Sequence, residues 1–99
     1  MIAITENEMR IILEIIQTNA ADCTVLAFGS RYKGNFKAHS DLDLAFIRKD
    51  GKQLGLVRTS EISFAFASSD LPYAVDVIDY NGVSDEFKAI INQGNLNCY

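Results

Sequence analysis

Three aspartates and a glycine–serine pair are the residues of this chain whose types and spacing could do chemistry. Gly29 and Ser30 are followed by ten residues and then by Asp41, Leu42 and Asp43. In an extended segment side chains alternate between faces, so Asp41 and Asp43 share one side while Leu42 and Leu44 point to the other. Two carboxylates about 5 Å apart repel by roughly 3 kcal/mol at an effective dielectric of ~20. A divalent cation relieves that repulsion, and hard oxygen donors favour magnesium or manganese. A third carboxylate, Asp76, stands between Val75 and Val77 in an apolar run, where a lone charge needs a compensating interaction. If its strand lies beside the one that carries Asp43, Asp76 joins the pair. Asp79, three positions further on, faces the other side. Parity therefore selects Asp76 as the third member and leaves Asp79 as a strand-end residue or a support behind the ligands.

Gly29 lets the backbone approach a ligand closely. Ser30 offers a hydroxyl, and the amides that follow open a turn or helix start suited to phosphate oxygens. Arg31 and Lys33 add local positive charge to an acidic chain. The expected nucleotide contacts are Gly29, Ser30 and Arg31, and the expected catalytic and metal-holding set is Asp41, Asp43 and Asp76. Phosphates held at the glycine–serine turn and bridged by metal to three aspartates describe nucleotidyl transfer, with one metal on the triphosphate and a second polarising the attacking hydroxyl. Asp76 is the carboxylate expected to help deprotonate that hydroxyl. His39 has no partner at metal-ligand spacing and reads as a loop residue near the nucleotide. Phe36, Phe64, Phe66, Tyr73 and Tyr80 read as core or partner surface rather than a base-stacking platform, and Cys23 as a small core residue.

Positioning these groups calls for alternating helices and strands. Residues 5–19 predict a helix, opened by a capping box of Thr5 and Glu8 with Ile4 and Met9 as hydrophobic staple, and carrying Ile12, Leu13 and Ile16 as an apolar stripe. Cys23–Phe28 is a short apolar strand ending at Gly29-Ser30, and the polar, glycine-containing residues after it form a turn with a short helix or loop. Leu42–Arg48 is the second strand, closed by the Asp50-Gly51 turn. Residues 53–69 predict a helix with Leu54, Val57, Ile62 and Ala65 on one side, bounded by Pro72. Residues 73–80 form the third strand. Ser84 caps a last helix with Asp85 and Glu86 in its first turn, Phe87, Ile90 and Ile91 facing inward, and Gly94 as its stop. Gly29 and Asp43 meet only if the first two strands run antiparallel, and Asp76 meets Asp43 only if the third runs parallel to the second. The expectation is one α/β domain spanning residues 1–99, with a small mixed sheet of three core strands flanked by helices.

The overall balance narrows the function classes. Ninety-nine residues with 48% apolar side chains make one core, and a net charge of −4 with a pI near 4.7 argues against a broad basic face for nucleic acid. Cys23 and Cys98 form neither a zinc spacing nor a disulfide framework, so the expected compartment is the reducing cytoplasm. The acidic start lacks the features of a signal peptide, and no apolar run approaches a membrane span.

The glycine–serine pair, the ten-residue spacer, the Asp-x-Asp pair and the distant third aspartate resemble the nucleotidyltransferase superfamily. The GSRYKG turn, the SDLDLA strand and DLPYAVDVIDY followed by a short helix are similar to its minimal branch, over about residues 24–91. Members of that branch are often paired with a small helical HEPN protein, frequently as antitoxin and toxin. The resemblance implies magnesium- or manganese-dependent transfer of AMP from ATP onto a tyrosine of a HEPN partner, silencing a ribonuclease. The alternative it leaves is a weak or inactive antitoxin-like subunit that masks its partner by binding. Transfer to a small molecule or to RNA is disfavoured by the lack of a second domain and by the acidic balance.

Overall fold

A computed structural model describes residues 3–34 and 40–99. The first helix, α1 (Glu6–Asn19), starts as expected: the Thr5 amide donates to Glu8 Oε1 and the Glu8 amide to Thr5 Oγ1, both at 3.1 Å. This satisfies two amides that a helix start otherwise leaves without partners. There follow β1 (Cys23–Phe28), a one-turn α2 (Gly29–Lys33), β2 (Leu42–Arg48), α3 (Leu56–Ala67), β3 (Val75–Asp79), a 3-10 turn at Tyr80–Gly82, α4 (Asp85–Gln93) and β4 (Leu96–Asn97).

The strands form one sheet in the order β3-β2-β1-β4. β1 and β2 are antiparallel and β3 runs parallel to β2, which is the mixed arrangement the aspartates demand. β4 is an addition. Its two residues pair antiparallel with Leu26 and Ala27, and Cys98 N–Val25 O (2.8 Å) and Val25 N–Tyr99 O (3.2 Å) prolong the pairing. A segment so short carries no alternation to read.

Strand alternation divides the apolar residues between the two faces. Val25, Leu44, Phe46 and Val77 pack with Ile12 and Ile16 of α1 and with Ile62 and Phe66 of α3 in the main core, where Phe46 and Phe66 meet edge to face at 6.5 Å. The opposite face is thinner. Phe28 and Ala45 are covered by Ile91 of α4 with Phe87 and Ile78 beside them. Asp43 and Asp76 alternate with residues of the main core, so both carboxylates belong to this thinner face, beside Ala45 and Ile78.

Two helices differ from expectation. α3 begins at Leu56 rather than at residue 53, because Gly55 has φ +90° and the amides of Leu54 and Gly55 are bound by the Asp79 carboxylate at 3.0 and 3.1 Å. Leu54 is buried, but ahead of the helix. The inward stripe is Ile62 and Phe66, while Val57, expected inside, is 72% exposed. In α4 Ile91 is buried and Phe87 half-buried, whereas Ile90, also expected inside, is 55% exposed. A nine-residue helix on a narrow sheet turns only one such row inward.

Candidate active site

The parallel register sets Asp43 directly beside Asp76, and the antiparallel register sets Phe28 opposite Asp43. The next residue of the β1 strand line is Gly29, at φ +79°. A Cβ built there would collide with Asp43 Oδ2. Glycine is thus required twice over: the left-handed backbone strains any side chain, and the space a side chain needs is filled by a carboxylate. The turn that the sequence marks for phosphate is in contact with the acid that the sequence marks for metal.

Asp41 lies just ahead of β2 and is exposed, as is Asp76, while Asp43 is half-buried. Burial pushes the Asp43 carboxyl up to about 6, and the charges of Asp76 and then Asp41 push the same way. Both neighbours therefore act on Asp43 through space. Among the described residues no salt bridge reaches any of the three. Nor, among the described residues, do three acid, histidine or cysteine side chains close around one point as a ready metal cage. Asp43 and Asp76 form an open acidic strip on one sheet face, and Asp41, just ahead of β2, is near enough for its charge to act on Asp43. The donor set, all carboxylate oxygen, fits a hard divalent cation. The two outer side chains are exposed, so a cation that draws them in meets no packing.

Arg31, expected at the nucleotide, also makes contacts within the protein. It is 5% exposed, donates from Nε to Ser40 O at 2.8 Å and from a terminal nitrogen to Ala3 O at 3.0 Å, and lies 3.8 Å from the Tyr73 ring centroid. Its charge supports the α2 turn from behind. Ser30 is half-buried in the first turn of α2 and Lys33 is exposed. His39 and Phe36 lie outside the described residues. Tyr73 and Phe66 are buried and Phe64 is 73% exposed. Cys23 is buried, and desolvation pushes its thiol up to about 11, with the Asp22 charge acting in the same direction.

Of two supporting residues, Asp79 was expected at a strand end or behind the ligands, and Tyr73 only as core or partner surface. Asp79 holds the approach to α3 through the Leu54 and Gly55 amides. The signal was its parity, because a carboxylate turned toward the apolar face must find donors. Tyr73 donates to Glu8 Oε1 at 2.9 Å while carrying Arg31 on its ring, and burial followed by the Glu8 hydrogen bond raises its phenol well above the usual range. No spacing rule links residues so distant in sequence.

Residues 10–96 match the family described as polymerase beta, nucleotidyltransferase. The chain is 41% identical over 90 residues to the Haemophilus influenzae protein named "Probable protein adenylyltransferase MntA", across 91% of this chain and 77% of that one. The crystal structure of a toxin–antitoxin with AMP-PNP superposes with a TM-score of 0.78 at 21% identity, over 92% of this chain and 72% of that one. A tri-AMPylated Shewanella oneidensis HEPN toxin in complex with MNT antitoxin gives a TM-score of 0.70 at 18% identity, over 92% and 68%. At these identities the structural likeness is one of fold.

Proposed function

The chain belongs to the polymerase beta nucleotidyltransferase family, and from that membership and the acidic strip we propose that it transfers AMP from ATP to a protein side chain, that of a HEPN-domain partner. The observation that carries the reading is the pairing of Asp43 with Asp76 across parallel strands, with Gly29 pressed against Asp43. Support for the nucleotide and the acceptor comes from relatives. The Haemophilus protein is named an adenylyltransferase, a structural neighbour holds AMP-PNP, and another is a complex with an AMPylated HEPN toxin.

Asp41, Asp43 and Asp76 are the residues that would hold magnesium or manganese, which when bound supplies positive charge against the triphosphate. Gly29 and Ser30 bind phosphate oxygens through main-chain amides and the serine hydroxyl. Asp76, exposed at the edge of the strip, accepts the proton of the attacking hydroxyl. The hydroxyl oxygen bonds to the α-phosphorus as pyrophosphate leaves. The free thiols of Cys23 and Cys98 fit a reducing compartment, the cytoplasm.

Leu56, Val57 and Phe64, on α3, are between 72% and 83% exposed. Exposed apolar side chains of this size favour a second reading, in which the chain neutralises its partner by covering it. Incubation with ATP, magnesium and a HEPN protein should add the mass of AMP to the partner, and Asp41→Asn should abolish the addition. Absence of modification with every nucleoside triphosphate rejects the enzyme. A triple Asp→Asn variant that still neutralises the partner establishes masking.

A further inference from the structure

Asp41 precedes β2, so the sheet's own ladder does not fix it. Its two neighbours are held from outside. The Leu42 amide donates to Ala74 O at 2.9 Å, just ahead of β3. Ser40 O accepts from Arg31 Nε at 2.8 Å. Arg31 lies on the Tyr73 ring, and Tyr73 is the residue before Ala74. The Tyr73 hydroxyl is in turn anchored on Glu8, whose Oε1 also closes the α1 capping box. The backbone repeats the link, since the Ala3 amide donates to Arg31 O at 3.0 Å. A guanidinium 5% exposed is an unfavourable burial unless hydrogen bonds and a matched surface offset it. Here it sits two residues beyond Gly29.

Resting on the reading of the acidic strip above, we propose that Arg31 is a positioning residue that locks the Gly29–Ser30 turn to the segment carrying Asp41, with Tyr73 and Glu8 as its backing. The planar fork is what the task requires. Nε and a terminal nitrogen reach carbonyls on two separate segments while the flat face rests on a ring; an ammonium reaches one of them. One side chain thereby sets the spacing between the phosphate turn and the first carboxylate, and through Tyr73 it also steadies the entry to β3, three residues before Asp76.

The test compares the wild type with Arg31→Lys, Arg31→Met, Asp43→Asn and the far-side core variant Ile62→Val. Mn2+ affinity is followed by electron paramagnetic resonance, Tm by calorimetry, and hydrogen exchange at the Leu42 amide by NMR. Arg31→Met should weaken Mn2+ binding about tenfold or more, as losses behind metal ligands do, and should speed Leu42 exchange. Arg31→Lys should fall between Arg31→Met and the wild type. Ile62→Val should lower Tm without moving Mn2+ affinity. A folded Arg31→Met with wild-type Mn2+ affinity overturns the proposal, as does an equal loss in Ile62→Val. Should Arg31→Met fail to fold, Tyr73→Phe, which keeps the ring but not the Glu8 bond, is held to the same standard with a smaller expected loss. If the wild type binds no Mn2+, the metal reading of the strip fails. Positioning is then decided by Leu42 exchange alone: faster in Arg31→Met supports it, unchanged overturns it.

Discussion

Asp43 is where burial, like charge and a glycine meet. Its carboxyl is held at about 6 against an ordinary 3.8, so the folded chain binds that proton more tightly than the unfolded chain. Below 3.8 both forms are protonated and nothing is lost. As pH rises from there through about 6 the metal-free protein loses stability, and above 6 the loss is complete. The full shift corresponds to about 3 kcal/mol, but a half-buried group among exposed neighbours is screened, and on the order of 1 kcal/mol is expected. Asp43→Asn should therefore flatten the pH profile of Tm across this window and raise the metal-free Tm at neutral pH. A profile unchanged by the substitution would show that Asp43 carries no such penalty. Gly29→Ala meets the same carboxylate from the other side. Backbone strain at φ +79° and collision with Asp43 Oδ2 should together lower stability by about 1–3 kcal/mol. The double variant Gly29→Ala with Asp43→Ala should recover part of it, a coupling visible in a urea-denaturation cycle.

At the scale of elements, the strands that bear the chemistry were legible and the helix between them only partly. Asp43 and Asp76 each alternate with apolar neighbours, and that two-residue period fixes the face each takes, while the need to bring them and Gly29 together sets the strand directions. β4 has no such period, and its position beside β1 is a matter of tertiary pairing. The start of α3 was hidden because Leu54 looks like part of a helical stripe but is buried as loop, drawn in by Asp79. The same logic explains Val57 and Ile90, whose apolar character reads as core although three-dimensional packing leaves them outside. Asp79 supplies the element-scale prediction. Asp79→Ala strips two amides of their acceptor, and removing a charged acceptor from part-buried donors costs about 1–3 kcal/mol. Urea midpoints should fall accordingly and exchange at Leu54 and Gly55 should quicken. Mn2+ binding should persist, because Asp79 faces away from the strip. Lost Mn2+ affinity in a folded Asp79→Ala would place it among the ligands after all.

For the molecule as a whole, uneven coverage of the sheet creates the site. α1 and α3 bury one face, while α4 covers only part of the other, and the part that the described residues leave uncovered is the acidic strip. A chain of 99 residues has little stability in reserve, and an uncompensated acidic strip draws on it further. Ligand binding should therefore register strongly on global unfolding. A ligand present at about 100 times its Kd stabilises the folded state by about 2.7 kcal/mol, and a domain this size shifts Tm by about 4–8 °C for each kcal/mol. Mg·ATP at that excess should raise Tm by on the order of 10 °C. ATP with chelator should give much less, since the strip then repels the triphosphate rather than binding it through a cation. Asp43→Asn and Asp76→Asn, each starting from its own metal-free Tm, should lose most of the Mg·ATP shift. If either keeps the full shift under calorimetry, the nucleotide is held somewhere other than the face that α4 leaves open.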